Sequence, residues 1–151
     1  MKPNQLTTGH LAENRRARFD YEILQTFEAG IELEGQEVKS VKAGRMGLNG
    51  SYVLIRNGEA SLLNAQIPPY QVNNTPEDYE PTRTRRLLLH KQQISQLSGQ
   101  LQQKGLTLMP LNVYLKGARI KIQLGLGRSR KKEDKREFVK ERDARREMRG
   151  V

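Results

Sequence analysis

Residues 50–67, GSYVLIRNGEASLLNAQI, decide the fold class. Two strand-like runs flank Arg56-Asn57-Gly58. Asn-Gly supplies the positive-φ pair that a type I′ turn needs, and that turn suits the twist of antiparallel strands. The reading predicts a hairpin with strands near 51–56 and 59–67. A second antiparallel pair follows in LTLMPLNVYL (106–115) and ARIKIQLGLG (118–127), joined through Lys116-Gly117. Ile120, Ile122, Leu124 and Leu126 alternate with Arg119, Lys121 and Gln123, so one face of that strand is buried and the other is basic. Pro110 marks an edge or a bulge.

Working outward, residues 1–12 read as a loose arm. Arg15, Arg16 and Arg18 precede a β-branched and aromatic run from Tyr21 to Leu33. That run predicts a strand bent near Ala29–Gly30 and interrupted by Glu28. Val38 and Val41, with Gly44 after them, predict a short helix. Pro68, Pro69, Pro76 and Pro81 frame a long loop that ends in the arginines 83, 85 and 86. Leu87–Leu89 read either as core at a helix start, with at least one buried, or as an apolar surface. Ile94, Leu97 and Leu101 keep helical spacing up to Gly105. The sum is a mainly β chain: a small antiparallel barrel with two or three flanking helices over 1–127, then a basic tail over 128–151.

The tail holds eleven Lys or Arg and six acids, net +5 of the chain's +10. Phe138, Val139 and Met148 are its only sizeable apolar residues and mark no clear helical face. Such a segment buries too little surface to offset its ordering entropy, although its residues favour helix. It reads as loose when free and helical when held.

A pI near 10.1 points to a polyanion, either nucleic acid or an anionic membrane surface. The chain has no Cys, which excludes disulfides, thiolate metal sites and a Cys nucleophile. No apolar run reads as a signal peptide or a membrane span, so a soluble intracellular protein is expected. His10 and His90 have no triad or metal partners in the pattern, and no phosphate-cradling glycine motif is present. The reading is a binding protein without catalytic residues, metal, cofactor or small-molecule substrate. Three basic segments (15–18, 83–86 and the tail) favour folded RNA, recognised by shape and phosphate. Low aromatic content argues against a wide stacking platform.

Five stretches carry a more specific likeness: ENRRARFDYEI (13–23), TFEAGIELEGQEVKSVKAGRMGLNGSYV (26–53), NGEASLLNAQIPPY (57–70), PTRTRRLLLHKQQI (81–94) and KKEDKRE (131–137). In this order they resemble the small protein B family, bacterial proteins that bind transfer-messenger RNA. The resemblance implies an oligonucleotide-binding-fold-like barrel that grips the RNA's tRNA-like domain, with no catalysis. It implies entry of the complex into stalled cytoplasmic ribosomes. There the tail, disordered when free, would become helical in the decoding site and empty mRNA channel. Asn14, Glu28 and Leu88 fall on the family's RNA-contact positions. Arg15, Arg16, Arg83, Arg85 and Arg86 lie in the matched blocks as phosphate partners. In the tail, Arg128, Arg130, Lys131, Lys132, Glu133, Asp134, Lys135 and Arg136 match the ribosome-binding stretch. Two positions depart from it: Ser129 stands where the family usually has glycine, and Glu133 where it has an aromatic residue or histidine.

Overall fold

In the computed structural model, which describes residues 9–149, Asn57 and Gly58 adopt φ of 53° and 75°. Both lie in the left-handed region of a type I′ turn, and Arg56 pairs with Glu59 across it. The chain runs β1 (His10–Glu13), α1 (Arg15–Asp20), β2 (Tyr21–Ile31), α2 (Gly35–Lys42), β3 (Tyr52–Arg56), β4 (Glu59–Leu63), β5 (Arg85–Leu88), α3 (Lys91–Gln100), β6 (Leu106–Lys116), β7 (Arg119–Ser129) and α4 (Lys132–Arg149). The strand expected to reach residue 67 stops at Leu63. Asn64 turns the chain with φ 64°, and Gln66 then bridges to Gly47.

The strands form one antiparallel sheet in the order β1-β6-β7-β2-β5-β4-β3. The expected barrel is corrected to an open sheet. β3 comes against β6, but no hydrogen-bonded ladder joins them. The inner face buries Phe27, Ala29, Leu62, Leu87, Val113, Ile122, Leu124 and Leu126, and α2 and α3 add Val41 and Leu97. At roughly 2 kcal/mol for each fully buried large side chain, this core is the main source of stability. Pro110 sits where the β6–β7 register shifts, the bulge its missing N–H predicts.

A small second core lies on the outer face. Ala17 of α1 covers Met109 and Leu111, with Tyr21 and Ile23 beside them. It depends on Gly125, where a Cβ would stand 2.9 Å from a Leu111 methyl carbon. The rest of that face stays uncovered.

Three boundaries differ from expectation. Residues 1–8 of the expected arm lie outside the described residues, and His10–Glu13, which includes its last residues, is a strand on β6. Leu87 and Leu88 belong to β5, not to a helix start. Arg128 and Ser129 pair with Glu22 and Tyr21, so the tail leaves the sheet only at residue 130. Among the described residues three α-helices accompany the sheet and the fourth is the tail. Among the described residues no helix is long and apolar enough to cross a membrane.

Candidate RNA-binding surface

The strand register gathers the open part of the outer face. Leu88 on β5 stands opposite Gly30 on β2, Gly30 opposite Lys121 on β7, and Lys121 opposite Tyr114 on β6. In the next row Glu28 stands opposite Gln123, Gln123 opposite Asn112, and Asn112 opposite Glu13. Side chains alternate along a strand, so both rows point to the same side. Glu28 does not interrupt β2; it is an outward position in it.

Glu28 is clamped there. The Tyr114 hydroxyl donates to Oε2, and Lys116 Nζ donates to Oε1 at 3.1 Å. The Tyr114 hydrogen bond, then that from Lys116, hold the Glu28 carboxyl below its ordinary range. Partial burial and the bond to Glu28 push the Tyr114 phenol up to about 12, so it keeps its proton and donates. Leu88 is 49% exposed. It leans over Gly30, where a Cβ would come within 3.3 Å of Leu88 Cβ. Leu88 and Gly30 open into a shallow cleft of about 230 Å³ walled by Leu33, Val38 and Ile120 and rimmed by Arg119 and Lys121.

Asn14 borders the same face through a structural role. It is 4% exposed. Its Oδ1 accepts from Ala17 N at 3.1 Å, capping α1, and its Nδ2 donates to Pro110 O at 2.8 Å. It thereby fixes α1 against β6, so the residue expected to contact RNA sits nearly buried at the rim of the face. Beside it Arg15 is exposed, 3.6 Å from Glu13 Oε2. Arg16 is exposed as well, donating to Asp20 Oδ2 at 3.0 Å.

The arginine cluster divides. Arg85, expected to meet phosphate, is fully buried. Its Nε donates to Glu37 Oε2 at 3.0 Å, and further N–H groups donate to the carbonyls of Ala65 and Pro81. Arg83 also donates to Glu37 and is only partly exposed. The Tyr79 hydroxyl lies 2.8 Å from Ile67 O and 3.1 Å from Glu37 Oε2. Burial works to raise the pKa of Glu37, but hydrogen bonds from Arg83, the Glu34 amide and Arg85 outweigh it and hold the carboxyl at about 2. This network pins the proline-framed loop to α2 and β5. Arg86 alone of the three stands on the outer face, two residues from Leu88, with Glu32 and Glu59 at 3.9 and 3.8 Å.

The tail forms α4 on the side of α1. Arg130 N donates to Asp20 O at 2.8 Å, and the Arg130 guanidinium lies 4.5 Å from the Phe138 ring centre. Phe138 meets Phe19 edge-on at 6.4 Å, and Lys135 Nζ lies 3.4 Å from Asp20 Oδ1. Asp134, in the third position of α4, accepts through Oδ2 from Lys131 N at 3.3 Å, the return half of a capping box. Lys135, Phe138, Val139 and Arg142 are half-buried among the described residues of α4. Their spacing makes one helical face, so Phe138 has the partner that its isolation in the sequence concealed. Arg128, Lys131, Lys132, Glu133 and Arg136 are exposed.

The family model for SmpB protein matches residues 11–151. The chain belongs to the SmpB family. Among curated relatives, the SsrA-binding protein of Microcystis aeruginosa is 54% identical over 91% of this chain and 90% of its own length. That of Synechocystis sp. is 51% identical over 91% and 90%. A solved structure described as "tmRNA-SmpB: a journey to the center of the bacterial ribosome" matches with TM-score 0.66 and 47% identity, covering 84% of this chain and 92% of that one. Within this SmpB chain the register unites Glu28, Leu88 and Arg86 on one face, with Asn14 and Arg15 at its rim. It leaves Arg83 and Arg85 behind that face. Sequence reading missed Tyr114 and Lys116 as partners of Glu28. The outward alternation of β6 was the available signal, but the 86-residue separation hid the contact.

Proposed function

We propose that this chain binds transfer-messenger RNA through the outer face of its sheet and delivers it to stalled ribosomes. The observation that carries the reading is the match to SsrA-binding proteins over 91% of the chain, SsrA RNA being transfer-messenger RNA. Glu28 and Leu88 meet the RNA's tRNA-like domain, and Arg15, Arg16 and Arg86 neutralise phosphates beside it. Arg83 reaches phosphate only with its exposed edge. The open sheet, with β3 against β6, is a loosened oligonucleotide-binding barrel. The protein acts as a cytoplasmic binding factor rather than a catalyst.

The tail is the ribosome-facing half. Its hold on α1 is one aromatic pair, the half-buried Lys135–Asp20 ion pair and the Arg130–Asp20 backbone hydrogen bond, each worth roughly 1 kcal/mol. That is weak enough to be exchanged for the decoding site and vacant mRNA channel. There Arg128, Arg130, Lys131, Lys132, Lys135 and Arg136 meet ribosomal phosphate, and Asp134 caps the helix. Glu133 cannot stack as the family's aromatic residue would, so engagement rests on charge and helix formation. Truncation after Ser129 keeps every strand. It should leave affinity for transfer-messenger RNA within about twofold, since exposed tail charges contribute little, and abolish peptide tagging on stalled ribosomes. Normal tagging by the truncated protein would refute this division.

A further inference from the structure

Two tail cations that the ribosome-facing reading sends to phosphate are already engaged within this chain. Lys135 Nζ lies 3.4 Å from Asp20 Oδ1 and 5.7 Å from the centre of the Phe19 ring. The Arg130 guanidinium lies over the Phe138 ring, and its Nε donates to Arg18 O at 3.4 Å. An ammonium neutralised by a carboxylate attracts phosphate far less than a bare one. The docked position and a phosphate-bound position of the tail therefore compete for the same side chains.

The short helix α1 has two working sides. Arg15 and Arg18 line a pocket of about 240 Å³ with His10, Asn14 and Asn112. Arg16, Phe19 and Asp20, three and four residues apart, share another face, and α4 lies against it. Arg16 donates to Asp20 Oδ2 at 3.0 Å and lies 5.3 Å from the Phe19 ring centre. One carboxylate thus serves a cation from each helix, and one ring carries both. Without Asp20, Arg16 and Lys135 would repel across the joint. The contact is also built to open: among the described residues no side chain of α4 is fully buried. Lys131, Lys132 and Arg136 stay exposed for a first encounter.

We propose that α4 folded on α1 is an autoinhibitory clasp, a closed resting position centred on Phe19 and Asp20 from which the tail must be released to act. The inference rests on the ribosome-facing reading of the tail above.

The test keeps the full-length chain and first alters α1 alone. Phe19→Leu removes the aromatic edge, and Asp20→Asn removes the shared charge. Each should speed amide exchange in α4 about three- to tenfold and leave the sheet unchanged. Each should tighten binding to ribosomes stalled on a truncated message by a similar factor, about three- to tenfold, because the competent tail is no longer held closed. The converse variant is Phe19→Cys with Phe138→Cys, in a chain that has no other cysteine. Joined by a short bismaleimide, it should bind the tRNA-like-domain transcript within about twofold of wild type, the outer face being untouched, and fail to tag. Capped singly with N-ethylmaleimide, it should tag. Unchanged α4 exchange and ribosome affinity in both α1 variants, or normal tagging by the joined protein, would overturn the clasp. Normal tagging after truncation at Ser129 would instead overturn the ribosome-facing reading itself.

Discussion

Glu37 and Glu28 are each held by cationic side chains with a tyrosine hydroxyl against them, yet their surroundings differ. The Glu37 side chain has no exposed surface, whereas 39% of the Glu28 side chain is open to solvent. At Glu37 the tyrosine comes from the proline-framed loop itself, Arg83 is partly exposed, and Arg85 is as buried as its partner. There the carboxylate replaces hydration for two buried groups, and removing it strands a charge. At Glu28 water still reaches the carboxylate, so the clamp adds little to folding. It aims an acceptor outward. The same pairing chemistry serves as scaffold where it is dry and as a candidate recognition group where it is wet.

The comparison breaks most visibly at the buried site. Glu37→Ala should cost about 3–5 kcal/mol in urea denaturation, because Arg85 is left without its counter-charge. A loss no larger than that of an exposed substitution would place the network among ornamental ion pairs. Acid gives a second handle. The folded-state pKa of about 2 lies below the unfolded value, so Glu37 adds stability that is complete above the ordinary carboxylate range and lost as pH falls toward 2. That contribution is up to about 3 kcal/mol and should be missing from the pH profile of Glu37→Gln. On the wet side, Leu88→Ser should leave Tm within about 2 °C, since Leu88 is half exposed. It should weaken RNA binding by roughly three- to tenfold through loss of apolar contact. A fall in Tm without a fall in affinity would reverse the roles assigned to the two regions. Phe138→Ala should reduce tail helicity by less than about 1 kcal/mol of helix stability, seen by amide exchange in α4, with the sheet's exchange unchanged.

What was legible in the sequence follows from the range of the interaction. The hairpin at Asn57-Gly58 was readable because a type I′ turn is decided by two neighbouring residues. The buried and basic faces of β7 were readable from alternation alone, and Pro110 marked its bulge. Arg85 was not readable. In Arg83-Thr84-Arg85-Arg86 every arginine looks solvated, and only strand alternation turns Arg85 toward Glu37, 48 residues away. Barrel closure failed as an expectation because it depends on whether β3 and β6 align their backbones, which no local pattern states. Phe138 looked stranded because its partner Phe19 is in α1, at the other end of the chain. The family likeness supplied Glu28, Leu88 and Asn14; register explains why Glu28 and Leu88 share one face, and the cap on α1 explains why Asn14 is buried beside it.

The central claim is that the outer face of β2, β5, β6 and β7 is the RNA surface. Photo-crosslinking of the tRNA-like-domain transcript to the full-length protein, followed by peptide mapping, tests it directly. Crosslinks should fall on the peptides bearing Glu28, Leu88, Tyr114 and Lys121. Crosslinks confined to α3 and the proline-framed loop, with none on those four strands, would contradict it.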